Sequence, residues 1–466
     1  MRGRTTLTSC AVLGAAVAAS GVLAKEGRAL DEGGALTDVV RPAPAAEPTA
    51  AVGQPVVTAG AGTLSAAAAL LADDVDVVLF PKGRRPAPRP EVTVLTKVRA
   101  KPDGIGAVLL DPSRYHVALP PLLRADVVGT RPGPEAATGG ASYGPERLLD
   151  WELEFPFFNL KGRAWLSRRA DTIELALVEG AFAPGRLSVR LTSAGDGRAT
   201  VMASAVQIEP RSANWIIRRI VAHDPWAETA MTAAAALVLT RAVALLAESG
   251  GHGGAGPAPR PAGPMSPPAV TKLDGAALAG GAGVLGRSAG AVATVRRTPS
   301  GRLAWVSTAV SIPGAPDAVE PRLAAPETWR AFPGWKAVTR LPPGPGSPAP
   351  PRGQIDFEVT DDIAFVDLDA VWRVPAGSPG RARALEGTIA GAALAWQAFP
   401  GASPEATTAV LSLYPRLDLA GFIEKRMVAV EPLLEHAFAL ALTYADAIAV
   451  AAALDSPREE HAPSHR

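Results

Sequence analysis

Two stretches of the chain carry the same succession of signals about 210 residues apart, and a duplicated unit restricts the available folds more than any single motif. Glu179-Gly180 in "ALVEG" returns 207 positions later as Glu386-Gly387 in "ALEG". "EVTVLTKVR" (91–99) alternates Val94, Thr96 and Val98, and "LAWVSTAVSI" (303–312) repeats that rhythm 212 positions on with Val306, Thr308 and Val310. Period-two alternation of this kind predicts a half-buried strand in each copy. A short helical stretch follows, in which Asp111-Pro112 matches Ala325-Pro326 and Tyr115 matches Trp329 at an offset of 214. Then come β-rich segments broken by Gly, Pro or Asp, from "RLLDWELEF" to "GRATVMASAVQI" and from "QIDFEVTD" to "EATTAVLSLY". Each copy closes on one long apolar helix, expected over about 213–247 and 420–454.

Composition sets the boundaries. The 46 glycines and 45 prolines require many loops and linkers. Residues 25–55 read as a flexible linker and 249–268 as a Gly/Pro-rich one, giving domains at 56–248 and 269–455 and a polar tail at 456–466. Lys plus Arg (46) balance Asp plus Glu (45), no basic tract stands out, and aromatics are 5%, so a nucleic-acid partner is not expected. Cys10 is the sole cysteine, which excludes a disulfide framework and a thiolate metal cluster. Arg2 and Arg4 precede an apolar run from Ala11 to Leu23, the order of an export signal over 1–24 with cleavage after Ala24. The expected location is therefore periplasmic or extracellular. Left uncleaved, the segment would be a membrane anchor, although thirteen apolar residues are short for a span.

A strand, a helical excursion, a run of antiparallel strands and a closing helix make an α+β unit. The closing helix is apolar on more than one face, with Met231, Ala234, Leu237, Val238, Leu239, Val243 and Leu245 in the first copy, so it belongs against the sheet. Arg241, Glu435, His436 and Asp446 argue against a membrane span. With "VTVLTKVRAKPDGIGAVLLDPSRYHVALPPL", "GRLSVRLTSAGDGRATVMASAVQI" and the closing helix, the chain resembles the START-like or polyketide cyclase/dehydrase superfamily, also called SRPBCC. Asp111-Pro112, Tyr115 and Thr200 carry the resemblance; Trp329 and Thr407 stand in for the last two in the second copy. It spans about 91–247 and 303–454 and implies two tandem helix-grip domains, each a curved antiparallel sheet around a long C-terminal helix.

Motif matches for catalysis fail on context. "GAGVLG" (281–286) spells a dinucleotide fingerprint but lacks the strand before and helix after that the chemistry needs, so a flexible loop is the better reading. "GASYG" (140–144) matches a nucleophile elbow, yet its Pro- and Gly-rich flanks make Ser142 a loop residue. Of the six histidines, His252 lies in the linker and His461 and His465 in the polar tail, so no expected helix carries a metal-spaced pair, and His223-Asp224 reads as a solvated or capping pair. Asp367 and Asp369 share a strand face, most simply as solvated acids. Glu179 and Glu386 line the interior or pair with an arginine at a strand end. Trp151, Phe155, Trp165, Phe182, Phe357, Trp372 and Trp396 are candidates for lining an apolar cavity, with plain core filling as the alternative.

The expectation is an exported binder of a hydrophobic small molecule, with no catalytic, cofactor or metal residues. The family resemblance implies a lipid, isoprenoid, quinone or polyketide-like ligand, and peripheral membrane contact is a further expected partner. The alternatives are a tandem aromatase/cyclase or a scaffold, the second copy being the better candidate for a lost cavity.

Overall fold

A computed structural model of the chain describes residues 61–455 apart from 83–88, 120–121, 134–143, 156–157, 170, 196, 224–225, 251–271, 286–289, 331–334, 342–353, 364–365, 376–379, 388 and 417–431. The first half runs α1 (Ala61–Ala68), β1 (Val75–Phe80), β2 (Glu91–Val98), α2 (Pro102–Leu109), a 3-10 turn (Pro112–Arg114) and α3 (Tyr115–Ala118). Six strands follow: β3 (Leu122–Arg131), β4 (Glu146–Phe155), β5 (Phe158–Arg169), β6 (Thr172–Gly180), β7 (Phe182–Ala194) and β8 (Ala199–Glu209). Helices α4 (Trp215–His223) and α5 (Ala227–Glu248) close it. The second half repeats the plan with α6 (Lys272–Leu285), β9 (Ala291–Arg297), β10 (Leu303–Pro313), α7 (Pro316–Leu323) and α8 (Pro326–Trp329). It continues with β11 (Trp335–Arg340), β12 (Ile355–Ile363), β13 (Val366–Val374), β14 (Arg381–Gly387), β15 (Ala393–Pro400), β16 (Ala406–Tyr414) and α9 (Leu433–Asp455).

Strand order is β1-β2-β8-β7-β6-β5-β4-β3 in one half and β9-β10-β16-β15-β14-β13-β12-β11 in the other, the same circuit twice. The long helix lies on the opening and closing strands, α5 on β2 and β8, α9 on β10 and β16, which is the helix-grip arrangement. β1 and β9 then pair antiparallel, from Val75 opposite Arg296 to Phe80 opposite Ala291, and fuse both halves into one sixteen-stranded sheet. That junction lies outside what the sequence signals named. Along β1, Val78 and Phe80 join the core beneath the long helices, while Val77 and Leu79 pack on the other face with Ala67 of α1 and Leu278 and Leu285 of α6. Covering both faces corrects the expectation for 91–99: β2 is buried almost throughout rather than on alternate residues.

The sequence pairs that define the repeat have matching structural roles. The Tyr115 hydroxyl donates to the Leu109 carbonyl at the end of α2, and Trp329 Nε1 donates to Leu323 at the end of α7 (2.8 Å). Thr200 Oγ1 donates to the Ala100 carbonyl and Thr407 Oγ1 to that of Gly314, both at 2.6 Å, tying the last strand to the turn after the opening one. Each Glu-Gly sits beside a register shift, between Arg163 and Ala164 in β5 and between Val371 and Trp372 in β13. Gly180 (φ +82°) and Gly387 (φ +99°) take left-handed backbone there, and a Cβ on Gly180 would sit 2.2 Å from the Lys161 carbonyl oxygen. The recurring dipeptide is a strand-terminating device.

Two expectations need correction. The helix over 213–247 is two helices, α4 and α5; Asn214 Oδ1 accepts from the Ile217 amide (2.9 Å) and caps α4. In the second half, the described helix begins at Leu433, with 417–431 outside the described residues. "GAGVLG" is not a loop: Gly281 and Gly283 lie in α6, where a Cβ on Gly281 would come within 2.6 Å of the Leu70 side chain. The expected export signal, the 25–55 linker, most of 249–268, Ser142, Asp224 and the 456–466 tail fall outside the described residues.

Candidate functional site

Register makes the two interiors comparable residue by residue. Next to the Glu-Gly bulge, Leu149 of β4 pairs with Ala164 of β5; in the second half the same places hold Phe357 and Trp372. Four residues after the anchoring threonine, Ser204 faces Val189 in β7, and Leu411 faces Trp396 in β15. With Tyr115 matching Trp329, the first half presents Tyr, Leu, Ala and Val where the second presents Trp, Phe, Trp and Trp.

In the second half these rings close on one another. Trp329 stands edge-on to Phe357 (4.8 Å between centroids) and to Trp396 (4.4 Å), and Trp372 is equally buried. Ala382, Ala384, Ala392 and Leu394 complete a continuous core. Phe357, Trp372 and Trp396 are therefore core filling there.

The first-half interior is divided. One apolar cluster gathers Trp151, Leu160 and Ala164 under Ala234, Val238 and Ala242 of α5. Another gathers Ile105, Leu149, Leu166, Ile173, Val189 and Met202. Tyr115 and Leu175 border both, and along with Leu153, Leu177, Phe182 and Leu187 they are only half-buried although they face inward. The Trp151 ring packs against Gly162, where a Cβ would meet it at 2.6 Å, and its indole N–H has no acceptor among the described residues. The polar groups at the α2–α3 end are committed: the Tyr115 phenol to Leu109, its pKa held above the usual range by burial, and Arg147 to the Leu110 carbonyl (2.8 Å). What remains is an apolar, incompletely filled wall.

Between the halves lies a buried polar cluster. Thr96 Oγ1 donates to Asp76 Oδ1, which lies 3.7 Å from Arg241 of α5 and 3.6 Å from Arg297 of β9. Arg241 also donates to Thr96 Oγ1 (3.1 Å), and Arg302 approaches Glu435 at 3.4 Å. His436 is buried with its Nδ1 3.3 Å from the Pro432 carbonyl. Burial first, then nearby Arg241, Arg297 and Arg302, pushes it down to about 3, so the ring is neutral. At the other end of the junction Phe80 stacks on Tyr444 at 4.0 Å.

Several sequence candidates lie elsewhere. Trp165 points away from the interior, because Ala164 and Leu166 on either side point in; it is half-buried beneath the Arg131 guanidinium at 4.0 Å. Glu179 is exposed and pairs with Arg163 (3.3 Å), the strand-end alternative, and Glu386 is exposed too. Phe182 packs inward with φ +67°. The side chains of Phe155, His223, Asp367 and Asp369 are outside the described residues. Sequence reasoning missed Leu149, Ala164, Val189 and Leu175, because small or aliphatic residues signal nothing until register places them opposite the aromatics of the other copy. No group of three or more His, Cys, Asp or Glu able to hold a metal occurs among the described residues.

No protein-family model matches the chain, and no curated protein does. Among solved structures, the di-domain aromatase/cyclase StfQ from the steffimycin biosynthetic pathway is similar over 76% of this chain and 98% of its own, at 10% identity and a TM-score of 0.23. A START superfamily protein from Mycobacterium smegmatis matches 34% of this chain and 97% of its own (13% identity, TM-score 0.25). The Zhui aromatase/cyclase from Streptomyces sp. R1128 matches 34% and 93% (14% identity, TM-score 0.24). Likenesses this distant carry nothing about activity, so what the site can do is read from its own side chains.

Proposed function

We propose that the first half binds a hydrophobic small molecule between its sheet and α5, and that the second half is a filled structural partner. One observation carries this reading: Leu149, Ala164 and Val189 stand where the other copy places Phe357, Trp372 and Trp396, and the inward leucines around them remain half-buried. Burying a few hundred Å² of ligand hydrocarbon against such a wall, at about 25 cal/mol per Å², supplies several kcal/mol without any catalytic group. A lipid, isoprenoid or quinone fits this chemistry, and the unpartnered Trp151 N–H suits a ligand with one oxygen acceptor.

The test is native mass spectrometry of the protein recovered from its producing cell, alongside A164W, which copies the second half's closure. A hydrophobic adduct lost on denaturation and absent from the variant is expected. A clean apo mass in repeated preparations, or an adduct indifferent to the substitution, would overturn the assignment to the first half.

A further inference from the structure

Helix α4 has no described counterpart in the second half, and its two faces differ sharply. Ile217 and Val221 are buried and belong to the apolar cluster against which Leu177 and Phe182 pack. Trp215, Arg218, Arg219 and Ala222, spaced i, i+3, i+4 and i+7, form the opposite face, and all four are exposed. Trp215 is 52% exposed, an unusual position for an indole in a protein with so few aromatics. No acid lies on that face. Beside it, Arg211 is 60% exposed while its partner Glu228 (3.6 Å) is nearly buried, and Arg89 is 50% exposed beside the less accessible Glu209. The whole chain carries a net charge of only +1, so this positive surface is local.

An indole flanked by guanidinium groups suits a lipid–water boundary, where the ring sits at headgroup depth and arginines meet phosphates. A nucleic-acid footprint would be wider, and this one is a single short helix. We propose that the outer face of α4 docks the protein onto an anionic lipid surface. The inference goes beyond ligand binding and rests on that reading only for its purpose: Leu177 and Phe182, half-buried at the margin of the first-half interior, pack against the same apolar cluster as Ile217 and Val221 on the inner face of α4, so a hydrophobic ligand would exchange with the bilayer on that side.

The experiment is co-sedimentation of the full chain with vesicles of phosphatidylcholine alone and of phosphatidylcholine with phosphatidylserine at about 3:1. Binding to the anionic vesicles only, weakened by added salt, is expected. R218Q/R219Q should weaken it about 30-fold, from roughly 1 kcal/mol per basic residue at an anionic surface, W215A several-fold, and R218K/R219K little. Equal binding to both vesicle types, no binding to either, or unchanged binding by the glutamine variant overturns the proposal. So does a preference for duplex DNA over vesicles that the same variant abolishes. Uptake of a fluorescent fatty acid without vesicles, measured in parallel, separates the two readings: uptake without docking sinks only this one, and docking without uptake sinks only the carrier assignment.

Discussion

The two halves share a circuit of strands and helices, the same aromatic and threonine ties, and the same Glu-Gly bulge, yet they differ in what fills them. The second half has Trp329 closed against Phe357 and Trp396, with Trp372 buried in the same core. The first has aliphatic residues at three of those places and half-buried leucines between two clusters. Duplication preserved the residues that shape the backbone and released those that fill the interior. Backbone devices cannot change without altering register, whereas interior volume can change one side chain at a time.

The largest test of that difference is a matched pair of truncations. W372A should cost about 3–5 kcal/mol in denaturant unfolding, because a closed aromatic core cannot collapse onto the gap. L175A should cost about 1–2 kcal/mol, since that side chain is only half-buried. Equal losses would mean that the interiors are equally filled.

The junction is the next place to press. Asp76 is the carboxylate between Arg241 of the first half and Arg297 of the second, and the matching position on β9 is Ala293, so the charged arrangement is one-sided. D76N keeps the shape but leaves two buried guanidinium groups without their counter-charge. About 3 kcal/mol of stability should be lost, with faster amide exchange along β1 and β9. A neutral effect would show that the paired strands and packed helices hold the halves together unaided.

The smallest effect concerns one titrating group from each half. Burial raises Glu91 to about 7 from an ordinary 4.5, while His436 falls to about 3 from 6.5. Between pH 4.5 and 6.5 the folded protein carries a proton on Glu91 that the unfolded chain lacks, and the unfolded chain carries one on His436 that the folded protein lacks. The two slopes oppose each other. E91Q should remove the opposing slope: the histidine's contribution is complete above pH 6.5 and falls toward pH 3, by about 1.4 kcal/mol per pH unit at most, in the same direction as the carboxylates that their partners hold low, such as Asp73 and Asp356. H436N should remove the histidine's slope and leave that of Glu91, a contribution greatest below pH 4.5 and declining as pH rises to 7, by less, because that carboxyl is partly solvated. Thermal melts across pH 4–8 check both, and parallel profiles for the two variants would sink the assignment.

Much of the fold was legible in the residues. Periodicity marked β4–β8 and β12–β16, and the offsets of the strand at Val94, of Tyr115 and of Glu179 to their counterparts identified the duplication, because a strand's alternation, a helix end and a bulge are each set locally. Less of the site was legible. Trp151 and Phe182 do face the first-half interior, but Trp165 turned out to stack on the other face, and strand parity around a bulge cannot be counted from sequence alone. β1 and its pairing with β9 went unread, since a short buried run such as "VDVVLF" has no period that identifies its neighbours.

By itself the sequence determined a twice-built α+β unit and its order of elements. Those follow from local preferences and composition, which each segment carries wherever it lies. Only the tertiary structure decided that the two sheets are one, that Asp76 meets arginines from both halves, and that Leu149, Ala164 and Val189 occupy the places of an aromatic cluster. Each of these depends on which residues distant in the chain come to lie opposite one another, and that is settled by strand register and helix packing across the whole molecule.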